Sequence, residues 1–138
     1  MSADVVRDVM DIIAEKGFGE VSKNIYSPQI RDTRNPPHGI LVEQRNTAPV
    51  PDIMVGCDTL YVNIQVRGPG GGESARAMAS QTAYEVYRAL SLVMDIEVNG
   101  THYVRLSPDS APYEVVDGSY HDYLFGLEIV RYYQEDVE

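Results

Sequence analysis

Gly68-Pro69-Gly70-Gly71-Gly72 joins an alternating segment to an amphipathic one, the layout in which many enzymes hold a phosphate. A phosphate loop of that kind ends in Gly-Lys-Ser/Thr, whose Lys reaches the β- and γ-phosphates and whose hydroxyl binds Mg²⁺. Here Glu73 follows Gly72, and a carboxylate at that place repels a phosphate. The dinucleotide fingerprint fails as well, because the segments after the helix read as hairpins and not as a βαβ unit. The glycines are expected to permit a sharp bend or a flexible tip. His38, His102 and His121 fall in separate segments without metal-ligand spacing. Cys57 is the only cysteine, so no internal disulfide forms, and no motif around it marks a nucleophile. Carboxylates are plentiful, but a glycosidase-like pair is defined by geometry that a sequence does not reveal. No enzyme activity, metal or cofactor is expected.

The elements around that loop are the clearest in the chain. From Thr59 to Arg67, Leu60, Val62, Ile64 and Val66 alternate with Thr59, Tyr61, Asn63, Gln65 and Arg67. A period of two predicts a strand with one face on a core and the other toward water or a partner. Ala75, Ala79, Ala83, Val86, Leu90 and Val93 recur at helical steps and predict a helix with one apolar stripe. Another helix is expected over Asp4 to Lys16, with Ser2 as N-cap, Gly17 as terminator, and Val5, Val6, Val9, Ile12 and Ile13 buried. Short strands are expected at Lys23 to Tyr26, Ile40 to Gln44, His102 to Leu106 and Tyr113 to Val116, with a long closing strand from Tyr120 to Tyr133. Val98-Asn99-Gly100-Thr101 and Asp117-Gly118 read as turns. The order predicts one α+β domain over residues 1–138, a mainly antiparallel mixed sheet with two α-helices packed on it.

Composition narrows the function classes. The 138 residues are 43% hydrophobic and 23% charged, ordinary for a globular domain. No apolar run is long enough for a membrane span, and no secretory signal is visible. The single cysteine fits synthesis in a reducing cytosol. A net charge of −10 argues against a nucleic-acid clamp, which needs Lys and Arg to displace counterions. It is compatible with solubility alone, or with a repelling wall along which DNA slides. Asp4, Asp8, Asp11 and Glu15, at steps of four, three and four, are expected on the polar side of the first helix. They form either a solvated face or a surface for a channel or a basic partner. Between residues 28 and 52, Pro28, Pro36, Pro37, Pro49 and Pro51 alternate with Arg31, Arg34 and Arg45. This stiff, locally basic stretch is expected to be an arm that contacts a neighbouring subunit, or else a loop covering its own core. Tyrosines populate the strands, and Tyr61, beside Asn63 and Gln65, is the first candidate for an interface.

In its order of parts the chain resembles the tail-terminator proteins of tailed bacteriophages, also described as tail-completion or minor capsid proteins. An N-terminal helix ends in Gly17-Phe18-Gly19, and a proline-punctuated segment leads to Tyr61-Val62-Asn63-Ile64-Gln65-Val66-Arg67-Gly68. A helix with Ala75-Arg76 and Tyr84 to Leu90 follows, then a Ser107-Pro108 to Pro112 segment and a Tyr-rich closing strand. The resemblance implies an α+β subunit of a homohexameric ring that caps the tail tube. It implies docking to tail-tube and neck or head-completion proteins, DNA passing through the channel without specific binding, residence in the virion, and no catalysis. A related neck or tail-tube component is the alternative, and a small intracellular enzyme or binding domain is a more distant one. No short signature transfers residue by residue, so Tyr61, Asn63, Gln65, Arg31, Arg34 and Arg45 are expected at interfaces on their chemistry.

Overall fold

The alternating run from Thr59 to Arg67 defines the centre of the molecule. The structure is a computed structural model that describes residues 4–27, 38–45, 50–52, 56–70, 72–91, 93–117 and 120–132. Strand β4 (Cys57–Arg67) lies against the long β8 (Tyr120–Tyr132), with Leu60 opposite Ile129, Val62 opposite Leu127 and Ile64 opposite Phe125. All six of these side chains are buried. Opposed residues share a face, so the pairing doubles the width of the apolar surface without any further sequence signal.

On the other edge of β4, β2 (Gly39–Gln44) pairs antiparallel with its second half and β3 (Val50–Asp52) with its first. On the far edge of β8, β6 (Thr101–Pro108) and β7 (Tyr113–Asp117) divide the length in the same way. The short β1 (Ile25–Tyr26) adds in parallel beside β2, and β5 (Met94–Val98) forms a hairpin with β6. The path is β1-β2-β4-β8-β6-β5 in an eight-stranded sheet. The expected α+β architecture, two helices on a mixed and mostly antiparallel sheet, is what the chain forms.

Helix α1 (Val5–Glu15) packs near β1 and β2, and α2 (Glu73–Leu90) lies over β4 and β8. Both join one core with the apolar face of the sheet: Val9, Ile12 and Ile13 from α1, Ala79, Ala83, Val86 and Leu90 from α2. Asp4 lies outside the helix as its N-cap, its carboxylate accepting the Arg7 amide at 3.2 Å. The expected cap, Ser2, falls outside the described residues. Gly17, at φ 89, ends α1 as expected, donating its amide to the Ala14 carbonyl. Val93 is buried with the α2 stripe, yet it follows the helix, which stops at Leu90. Gly68 holds the turn between β4 and α2 at its closest approach, because a Cβ there would collide with the Ala75 carbonyl oxygen.

One expectation is overturned. The acidic stripe on α1 is not continuous, because Asp8 is 2% exposed. Asp8 lies at the margin of the stripe nearest Val5 and Ile12, and donors await it there. Its carboxylate accepts from the Tyr103 hydroxyl and, at 2.8 Å, from the Asn99 side chain. Asn99 also reaches Asp11 at 2.9 Å, so the β5–β6 hairpin tethers the polar side of α1. Burial pushes the Tyr103 hydroxyl well above the ordinary tyrosine range, and the neighbouring Asp8 carboxylate adds to it. Tyr103 therefore donates to Asp8 at all physiological pH values. Asp4 and Glu15 remain exposed, and Asp11 is engaged by Arg7 at 3.1 Å.

Candidate functional site

The helices cover one face of the sheet, and the side chains of the other face form an extended polar surface among the described residues. Alternation along β4 places Tyr61, Asn63, Gln65 and Arg67 there; pairing sets the first three opposite Glu128, Gly126 and Leu124 of β8, and the Arg67 side chain reaches Asp122 just beyond the last pair. Tyr61, Asn63 and Gln65 are half-buried, as expected for a face between core and solvent.

At one end of this face a chain of charge-assisted contacts crosses three strands, β6, β8 and β4, to Arg45 just past the end of β2. Arg105 of β6 donates to Glu128 at 2.8 Å, and the Tyr61 hydroxyl donates to the other Glu128 oxygen at 3.3 Å. The Arg45 guanidinium lies 5.1 Å from the Tyr61 ring centroid, donates to Asn63 at 2.9 Å, and pairs with Asp109 at 2.9 Å. Gly126 makes room for this: a Cβ on it would run into the Arg45 guanidinium and the Asp109 carboxylate. These half-exposed pairs contribute little stability each, about 0–1 kcal/mol, but they hold Tyr61 and Arg45 in one arrangement.

At the other end, Arg67 and Asp122 form a buried bidentate pair, with Nε at 3.0 Å from Oδ1 and Nη2 at 2.8 Å from Oδ2. Asp122 is fully buried and Arg67 is 7% exposed. Gln65 donates to the same carboxylate at 2.6 Å, and the guanidinium stacks 4.1 Å from the Tyr120 ring centroid. Arg67 was expected on the partner face, and it lies on that face but closed under these contacts. Leu41, Leu124 and Tyr113 lie in one row with Gln65, so the surface also carries the half-buried Leu41 and Leu124 and the exposed Tyr113 ring. A Tyr- and Arg-rich surface with apolar patches, in which Arg45, Arg67 and Arg105 each have an acidic partner, is the composition of a protein interface.

The structure brings Tyr61, Asn63, Gln65 and Arg45 together. Arg31 and Arg34 lie outside the described residues. Sequence reasoning did not find Asp109, Glu128, Arg105 and Asp122 as partners. Only the strand register, which brings together residues such as Arg67 and Asp122 that are 55 positions apart, assigns them.

Elsewhere, the exposed Glu114 of β7 receives Arg76 Nε of α2 at 2.6 Å and faces His121 Nδ1 at 3.0 Å. The Arg76 hydrogen bond holds the Glu114 carboxyl below the usual carboxylate range, and Glu114 in turn raises Arg76. A carboxylate with a depressed folded-state pKa stabilises the fold above its unfolded pKa and loses that contribution as pH falls through the folded value. The difference in melting temperature between the natural chain and Arg76→Met should therefore be constant near neutrality and shrink on acidification below the usual carboxylate range. A difference that grows on acidification would overturn this.

Among the described residues, no group of three or more His, Cys, Asp or Glu side chains could hold a metal ion. No described helix is long and apolar enough to cross a membrane. Compared with known proteins, no family model matches the chain and no curated sequence does.

Proposed function

We propose that the chain is an assembly subunit of a phage tail, closing into a ring that caps the tail tube and joins it to the neck or head-completion proteins. The observation that carries this is the helix-free face of the sheet, where Tyr61, Arg45, Asn63 and Gln65 are held ready by an internally paired network. A surface whose Arg45, Arg67 and Arg105 are already paired with Asp109, Asp122 and Glu128 suits desolvation on contact, since those charges keep their partners when water leaves. Head-to-tail contacts between such subunits close into a ring, with six copies the number the resemblance implies. The part is non-enzymatic and needs no cofactor. DNA would pass the ring without specific binding, and the exposed Asp4 and Glu15 suit a repelling wall, whereas the buried Asp8 takes no part in it.

The test combines light scattering of the purified protein with attachment to isolated tails. Tyr61→Ala is expected to weaken ring formation or tail attachment by a factor of ten or more, at least about 1.4 kcal/mol. The same change should lower unfolding stability by about 1 kcal/mol or less, because its hydroxyl and ring contacts are half-exposed. Equal loss of folding and assembly would make Tyr61 a folding residue. A chain that stays monomeric at high concentration and also fails to attach to tails would overturn the proposal.

A further inference from the structure

The second surface lies on the opposite border of the sheet. Strand β5 ends the sheet, and no described strand pairs with its outer side. Beside it an open groove of about 620 Å³ runs between β5 and the end of α1. Ile12, Val93, Ile96 and Val98 give it an apolar lining, and Met94, 67% exposed, adds to the lining. Glu15 and Glu97 flank it against the single cation Lys16, and neither carboxylate is paired with a cation among the described residues.

From Ile96 to Val98, past Asp95 whose φ of 53 interrupts the strand, the edge itself is open to pairing. Asn99 and Gly100, at φ 50 and 84, make a two-residue hairpin that closes on the Val98–Thr101 pair. The alternation of the ladder then turns the amide and carbonyl of Glu97 outward. Natural edge strands are commonly blunted by Lys or Pro. β5, Met-Asp-Ile-Glu-Val, has neither, and its charges are both negative. Acidic groups guard the edge against another copy of a chain of net charge −10, yet they attract a basic segment.

We propose that the α1–β5 groove binds an extended segment of another protein, one that alternates apolar side chains and is flanked by Lys or Arg. The segment adds as a strand to β5 through the Glu97 backbone, sets alternate apolar side chains on Ile12, Ile96 and Val98, and places its cations beside Glu15 and Glu97. Such a site serves a subunit in a ring and a free chain equally, so its test is independent of ring formation.

Calorimetric titration with the blocked peptide Lys-Val-Thr-Val-Thr-Val-Lys, and with the same peptide carrying Glu at both ends, tests the proposal. The Lys-flanked peptide should bind about ten-fold or more tighter, and less so at high salt. Glu15→Lys combined with Glu97→Lys should reverse the preference. Glu97→Pro should abolish binding while Glu97→Gln only weakens it, because an outward-facing edge position tolerates proline in the fold. Should Glu97→Pro fail to fold, hydrogen exchange on the natural chain decides: protection of the Glu97 amide on adding the peptide supports strand addition, and unchanged exchange overturns it. Equal affinity for the two peptides, binding of neither, or self-association of the free chain that Glu15→Lys and Glu97→Lys remove would each overturn the proposal.

Discussion

Asp122→Ala is expected to destabilise the fold by about 3–5 kcal/mol, a large part of the roughly 5–15 kcal/mol that holds a domain of this size together. Asp122 is 0% exposed and accepts from both Arg67 and Gln65. Removing the carboxylate takes two charge-assisted hydrogen bonds from a buried guanidinium and one from Gln65, and the Tyr120 ring, 4.1 Å away, compensates only in part. Replacing the pair together gives a different result. Arg67→Met with Asp122→Leu removes both charges of the pair, and its loss should be smaller than that of Asp122→Ala alone. Urea unfolding of Arg67→Met, Asp122→Leu and the double variant gives the coupling directly. A loss below about 1 kcal/mol for Asp122→Ala would mean that water reaches the pair in solution, and that this end of the polar face is not closed.

That pair also marks the limit of what the sequence discloses. The alternation in Thr59 to Arg67 and the stripe Ala75 to Leu90 foretold β4 and α2 because each has one face wholly apolar, and a period is visible whenever burial is one-sided. The same alternation assigned Arg67 to the outer face, but its burial comes from Asp122 and Tyr120, which only the β4–β8 register brings near. Asp8 was hidden for a similar reason. Helical spacing gives its angle on α1, while the Tyr103 hydroxyl and Asn99 that draw it inward belong to a hairpin some ninety positions away. β5 was missed because Asp95 and Glu97 lower its strand preference, and pairing with β6 overrides it. β3 was absorbed into the proline-rich arm. Pro51 is tolerated there since, among the described residues, β3 pairs with β4 along one side only. The candidate site was therefore half legible: Tyr61, Asn63 and Gln65 by period, Arg45 by composition, their acidic partners not at all.

Three Gly→Ala changes in one loop should separate sharply, although the residue types are the same. Gly68→Ala is expected to cost about 1–3 kcal/mol, toward the upper end, because the added Cβ meets a backbone carbonyl in the first turn of α2 and not a side chain that can swing away. Relief requires moving Ala75, itself 6% exposed, and with it the seating of Ala79 and Ala83 on β4 and β8. Gly70 has open space around it, but its φ of 89 lies in the left-handed region, so Gly70→Ala should cost about 1–2 kcal/mol through backbone strain alone. Gly72, the N-cap of α2 at φ −102, has both space and an ordinary conformation. There the weaker cap offered by alanine and the reduced freedom of the unfolded chain oppose each other, and the net change should stay within about 0.5 kcal/mol. Chemical unfolding of the three variants under one condition provides the comparison. Should Gly68→Ala prove as mild as Gly72→Ala, α2 would not be held against the end of β4, and the bend would be a flexible tip. The expected order, Gly68 first, makes the loop that resembles a phosphate cradle a steric device, shaped so that the central strand can turn directly onto the helix that covers it.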